Sequence, residues 1–312
     1  MCRMLVLSRV LFLSLALVSS TLLASDPAVP PKSPLSPEES LKHLVLGDPN
    51  LVIEIVAAEP EVIDPVAMQF DEHGRLWVVE MRDYPTGPKN APPPLGGPDA
   101  KPLSRLKLLE DKDGDGRFET AHVFAENLLF ATGVQPWDGG VIVTHSGEIV
   151  YLKDTDGDKK ADVREVWFKG FSETNTQLRA NHPTIGPDGW IYVANGLRGG
   201  NVIAVKKEWP SRLGLRPDPS EKKQVGTESQ PTGVSHDPAN PVPVSLTGRD
   251  FKFDPLTGRY EAISGNGQYG MTFDAWGNRF VCDNRHPCRH VIFEEDFIRR
   301  CPHIAFPTVV ND

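Results

Sequence analysis

Two short acidic runs are the clearest chemical signal in this chain. Asp111, Asp113, Asp115 and Glu119 fall at the first, third, fifth and ninth positions of one run, and Asp154, Asp156, Asp158 and Asp162 repeat that pattern in the other. Oxygen ligands at alternating positions, with a glycine easing the turn, suit a hard cation such as calcium. At the twelfth position, where an EF-hand places a glutamate, the first run has His122 and the second has Glu165. Gly116 takes the sharp-turn position of the first run, and Lys159 replaces it in the second. The same residues also make ordinary solvated hairpin turns. A structural role is therefore expected over a catalytic one.

A second group of residues has the types needed for acid–base work and for holding an anion. Arg179, Asn181 and His182 precede the turn Gly186-Pro-Asp-Gly-Trp190. Asn284, Arg285 and His286 precede Cys288 and His290. Histidine can take a hydroxyl proton, and arginine can pair with carboxylates. The alternative is that these are turn residues tied down by hydrogen bonds. The run Glu80-Met-Arg82-Asp83-Tyr84-Pro85 closes a strand and is a further candidate for the same site.

The elements that must position these groups are strands. Both acidic runs lie between alternating apolar segments, Arg105–Leu109 and His122–Phe124 for the first, Ile149–Leu152 and Val163–Phe168 for the second. The two copies are about 43 residues apart, a period used by propeller blades. Further strand-like runs form three sets of four and the start of a fourth set. In each set an Asp/Gly turn separates the first two strands: Asp71–Gly74, Asp138–Gly140, Asp188–Gly189 and Asp274–Gly277. Such turns favour tight hairpins because Gly and Asp tolerate positive φ. The expected fold is all-β, a propeller of four-stranded antiparallel blades. About three and a half blades are counted, which reads as the N-terminal part of a six- or seven-bladed ring. Residues 85–102 and 206–248 interrupt the pattern as long loops.

The rest of the chain bounds the function. Residues 1–25 read as an export signal, with Arg3 and Arg9, an apolar stretch from Val10 to Val18, and small residues at Ser19, Ser20 and Ala24. An exported, periplasmic or cell-surface protein is expected. Residues 26–48 read as a Pro-rich linker and a short capped helix starting at Ser36, and residues 49–312 as the partial propeller. The formal net charge is −9, which disfavours nucleic acid because binding it needs a basic footprint. Without the leader, Cys282, Cys288 and Cys301 remain, and their connectivity is open. No Cys-x-x-Cys-His run occurs, so no c-type haem attaches within this chain.

Several of these motifs together carry a family resemblance. They are Phe70-Asp-x-x-Gly74-x-Leu76-Trp77-Val78, Glu80–Pro85, the two Asp-x-Asp-Gly-Asp runs, Gly186–Tyr192, and Trp276–Phe280 with Asn284–Pro287. Over roughly residues 50–312 the chain resembles the planctomycete-type membrane-bound dehydrogenases. More distantly it is similar to soluble aldose (glucose/sorbosone) dehydrogenases, which are six-bladed propellers using pyrroloquinoline quinone and calcium. The resemblance implies oxidation of a sugar or alcohol hydroxyl, with hydride transfer to the quinone and a histidine as base. It also implies onward electron transfer to a c-type haem domain outside this chain.

Two departures from the aldose pattern stand out. Leu178 occupies the place of the family histidine, eight residues before the Gly-Pro-Asp turn. The Arg-containing cofactor run is replaced by Asn266–Met271. His182 is then the candidate base, and Arg179, Asn181, Arg285 and His286 the candidate cofactor contacts. The competing expectation is a non-catalytic, calcium-stabilised propeller that binds glycans or protein partners. A weaker third is a lactonase-like hydrolase, for which Asn181, Asn195 and Asp283 are the obvious metal recruits.

Overall fold

The computed structural model describes residues 34–93, 96–209, 238–301, 303 and 310–311. The leader expected at 1–25 lies outside the described residues. The chain divides into two compact units, residues 1–54 and 55–312. In the first, α1 (Pro37–Leu41) starts at a capping box. Ser36 Oγ accepts the Glu39 N–H, and the Glu39 carboxylate accepts the Ser36 N–H, so two orphan helix donors are satisfied.

The second unit is built of four antiparallel sheets in chain order, a propeller-like arrangement. Sheet one holds β1 (Pro65–Phe70), β2 (Leu76–Glu80), β3 (Ser104–Glu110) and β4 (Thr120–Leu128). Sheet two starts with β5 (Gly133–Trp137), β6 (Gly140–His145), β7 (Glu148–Lys153) and β8 (Val163–Phe171). The chain then forms β9 (Asn181–Ile185) and β10 (Ile191–Ala194), and leaves this third sheet for β11 (Gly200–Ala204) and β12 (Val244–Ser245). It returns to the third sheet with β13 (Asp250–Phe253) and β14 (Tyr260–Ile263). Sheet four holds β15 (Met271–Phe273), β16 (Arg279–Val281), β17 (Arg289–Val291) and β18 (Val310–Asn311), with α2 (Glu295–Arg300) between its last two strands.

Two features correct the sequence count. The second sheet has six strands, because β11 pairs with β8 and β12 pairs with β11. This hairpin begins inside a stretch that carries the glycines of a loop. Gly200 is needed at the junction: its φ is +136°, and a Cβ there would meet the Gly170 carbonyl oxygen at 2.3 Å. The fourth sheet also has a fourth strand, β18, so four sheets are present where three and a half blades were counted. Residues 210–237 of the second long loop lie outside the described residues.

The core sits in the seams between sheets. Trp77, Leu106, Leu108 and Phe124 of sheet one pack on Val134, Val141 and Val143 of sheet two. The seam between sheets two and three is aromatic, with Phe168 in contact with Phe251, Phe253 and Tyr260. Tyr192 and Ile263 meet Met271, Val281 and Val291 at the third seam. The first strand of each sheet lies at its edge, and β5 packs against both β1 and β9. That edge position explains how Pro136 and Pro183 are tolerated in β5 and β9, since proline cannot donate to a ladder. Val66, Met68 and Phe70 of β1 are exposed.

Candidate functional site

All four sheets contribute to one cavity of ≈ 370 Å³. Val66 comes from β1, and Met81 and Tyr84 follow β2. Thr132 immediately precedes β5, Thr176, Gln177 and Asn181 precede or open β9, and Tyr269 lies just before β15. A second cavity of ≈ 230 Å³ shares the Tyr269 wall. His182, Met271, Phe280, Cys282 and Cys288 line it.

His182 is aimed by a β-bulge. Tyr192 pairs with Thr184 and Ala194 with Asn181, so one extra residue sits in β9 between them. His182 takes a left-handed backbone with φ +52°. A bulge of this kind re-aims a side chain, and strained backbone of this kind gathers at functional sites. Gly270 flanks the imidazole: a Cβ there would stand 3.2 Å from His182 Cγ. The His182 side chain keeps solvent-accessible surface yet stands among enough protein for burial to lower its pKa. It is thus a neutral imidazole at neutral pH, with no hydrogen bond to its ring among the described residues.

The neighbouring candidates are held for other purposes. Arg179 is buried, with its guanidinium 4.4 Å over the Phe130 ring and its Nη1 donating to Ser146 Oγ at 2.5 Å. It ties β9 to sheet two and lines neither cavity. Asn181 donates both amide hydrogens, to the Arg179 and Gln268 carbonyls, each at 2.8 Å. What it offers the larger cavity is its side-chain carbonyl oxygen. Arg285 is exposed, and His286 Nδ1 stands 3.0 Å from Asp283 Oδ1. Partial burial raises the Asp283 pKa, but the Arg285 N–H and the His286 ring and N–H outweigh it and hold the carboxyl at about 2. Neither Arg285 nor His286 lines either of these two cavities; their loop supplies Pro287 and Cys288 instead.

The acidic runs form the β3–β4 and β7–β8 hairpins. In each, three carboxylates gather: Asp111, Asp113 and Asp115, and Asp154, Asp156 and Asp158. Asp111 accepts the Gly114 and Gly116 N–H groups at 2.7 and 2.9 Å, which lowers its pKa. Glu119 and Asp162 are not in these clusters. Glu119 accepts the Lys112 N–H, and Asp162 accepts the Thr155 N–H and hydroxyl. Lys159 has φ +65°, and its Nζ bonds Glu110, joining the second hairpin to sheet one.

Buried polar residues do much of the positioning. Asp83 is buried and accepts the N–H groups of Leu103, Ser104 and Phe130 as well as the Ser104 hydroxyl. It thereby fixes Tyr84 at the larger cavity. Asp250 and Arg279 form a fully buried ion pair at 3.4 Å between sheets three and four. Asn195 spends its amide on the Leu246 carbonyl, the Arg249 carbonyl and Asn266. Its Oδ1, the atom that could ligate a metal, is buried without a hydrogen-bond partner among the described residues.

The fold and site define a propeller-like, all-β domain whose four sheets converge on a cavity lined by uncharged residues, with a histidine beside it. More particularly, the chain belongs to the family described as domain of unknown function DUF7133, whose model matches residues 36–240 and 225–312. No curated protein matches it. Among solved structures it is similar to the pyrroloquinoline quinone domain of pyranose dehydrogenase from Coprinopsis cinerea, at 12% identity and TM-score 0.37, over 76% of this chain and 45% of that one. It is also similar to a Carbohydrate-Active Enzymes Family AA12 protein from Trichoderma reesei, at 9% identity and TM-score 0.31, over 75% of this chain and 94% of that one. A nidogen/laminin complex matches at 14% identity and TM-score 0.31, over 71% of this chain and 72% of that one. The chain spans under half the length of the first of these.

Proposed function

We propose that this chain is an oxidoreductase module that holds a sugar or alcohol hydroxyl beside His182. The observation that carries the proposal is His182 itself, a neutral imidazole on a strained bulge at a cavity wall. Such a group can take the hydroxyl proton as a general base. Thr132, Thr176, Gln177 and Asn181 offer uncharged hydrogen-bonding groups, and the exposed rings of Tyr84 and Tyr269 offer apolar faces. That combination suits a polyhydroxylated, uncharged substrate.

The quinone implied by the resemblance is a tricarboxylate. Neither cavity is lined by Lys or Arg, and Arg179 is spent on Ser146 and Phe130. These residues do not fit that anion, and no step is assigned to it. The hydride acceptor, the export of the protein and an electron-accepting haem domain belong to the proposal as expectations. Calcium at the two Asp clusters is proposed as a brace of the hairpins, since each cluster offers three carboxylates.

The lack of cations equally favours a second reading, a propeller that binds glycans without chemistry. Dye-linked oxidation of a sugar and alcohol panel, with and without added quinone and calcium, separates the two. Turnover that falls at least about 100-fold in His182→Gln, with sugar binding retained by calorimetry, supports the oxidoreductase. Absence of turnover with every acceptor sinks it; sugar binding in that case leaves the glycan-binding module.

A further inference from the structure

We propose that Cys282 and Cys288 form a disulfide that clamps the loop carrying Asp283, Arg285 and His286. The strand register brings them together. Phe280 pairs with His290 and Val281 with Arg289, and one step beyond the end of that ladder Cys282 falls opposite Cys288. Directly opposed residues of antiparallel strands share a face, with Cβ atoms about 4.5–5.5 Å apart and Cα atoms about 4.5–5.5 Å apart. A disulfide accepts Cα separations of about 4.4–6.8 Å.

Two further observations place the thiols on one side. Phe280 and His290, two residues along on the same face, stack with centroids 4.9 Å apart. Cys282 and Cys288 both line the His182 cavity. Cys301 closes α2 and does not line that cavity. All three described thiols are free, with Cys288 exposed and Cys282 half-buried. An exchange partner can therefore start at Cys288.

The step is thiol–disulfide exchange. The Cys288 thiolate attacks one sulfur of a low-molecular-weight disulfide, such as oxidised glutathione, and displaces one thiolate. The Cys282 thiolate then attacks Cys288 of the mixed disulfide and displaces the other. Two electrons pass to the oxidant, which leaves as two thiols carrying the two protons. The product ring encloses residues 283–287, whose loop is already drawn inward by Asp283 and by the Asn284 N–H donating to Gln268 Oε1 at 3.0 Å. The clamp fixes Pro287 and Cys288 as a cavity wall. It holds whether or not the oxidoreductase proposal does, because its readout is covalent.

The test uses the whole chain and its Cys301→Ala variant. Each is equilibrated with oxidised glutathione, blocked with iodoacetamide and digested with trypsin, which cuts after Arg285. The expected product is two peptides joined through Cys282 and Cys288, in both proteins. Alkylation or glutathionylation of both cysteines, or a bridge from either to Cys301 or Cys2, overturns the proposal. Amide exchange at residues 283–286 is expected to slow at least about ten-fold on oxidation; unchanged exchange overturns the clamp.

Discussion

Replacing Arg279 with methionine is expected to cost about 3–5 kcal/mol, the usual penalty for stranding one partner of a buried ion pair. Arg279 and Asp250 are both fully buried. Asp250 Oδ1 accepts the Asn195 and Gly267 N–H groups at 3.1 and 2.9 Å. Its Oδ2 faces Arg279 Nη1 at 3.4 Å. Methionine keeps the length of the side chain but leaves Asp250 Oδ2 without its partner, and removes the donor to the Ser264 carbonyl. Glu294 also loses its contact at 3.0 Å, but it is half exposed and returns to water at little cost. Against a total stability of about 5–15 kcal/mol, the loss should lower the melting temperature by on the order of 10 °C.

The pH dependence gives a second readout. Burial already holds the Asp250 carboxyl above its ordinary value despite Arg279. A raised carboxyl pKa contributes stability that is present below the unfolded value and lost as pH rises through the folded value. The Arg279→Met penalty should therefore be larger at pH 7 than at pH 5. Denaturant titrations at both pH values, repeated in an Asp250→Asn background, measure this. A loss below about 1 kcal/mol, or the same loss with and without the Asp250 charge, would refute the reasoning.

Four further outcomes are expected. His145 is buried, with neither ring nitrogen hydrogen-bonded, and burial, reinforced by Arg164, lowers its pKa to about 4. Stability should be full above pH ~6.5 and fall by about 3 kcal/mol as pH drops toward 4, with the slope reduced in His145→Phe by thermal melts. Asp83→Ala removes four hydrogen bonds from a buried loop base and should destabilise by about 3 kcal/mol or more in denaturant titrations. Gly270→Ala, which crowds the imidazole, should lower turnover while sugar binding measured by calorimetry persists. Calcium should raise the melting temperature, and Asp111→Asn with Asp154→Asn should abolish that rise; a calcium-independent melt would remove the metal from both hairpins.

The blade pattern was legible because it rests on local chemistry. Alternating apolar runs and Asp/Gly turns need no partner to be read, and the turns at Gly74, Gly139, Gly189 and Gly277 all carry positive φ. The β11–β12 hairpin was not legible. Its strands are short, about 40 residues apart, and paired to a neighbouring sheet rather than to their own. The same limit applied to the site. His182 was found because histidine is a conspicuous residue type. Thr132, Gln177 and Tyr269 were missed, because they become neighbours only when four sheets converge, and ordinary polar residues in turns give no spacing to read.

Lys159 shows how one departure from a repeat can report tertiary structure. At the matching place in the first hairpin stands Gly116, with φ +90°. A lysine at φ +65° carries a backbone penalty of about 1–2 kcal/mol that glycine avoids. Its return is a contact glycine lacks, the Nζ bond to Glu110, which holds that carboxyl below its usual range and lies beside His122. An ion pair this exposed contributes about 0–1 kcal/mol. Strain and contact therefore nearly offset, and Lys159→Gly should change stability by less than about 1 kcal/mol. Lys159→Ala keeps the strain and loses the contact, so it should fall below the glycine variant by about 1 kcal/mol or more. Equal stabilities for the two variants would mean that the left-handed backbone at Lys159 carries no penalty. The departure in the second hairpin would then need another cause.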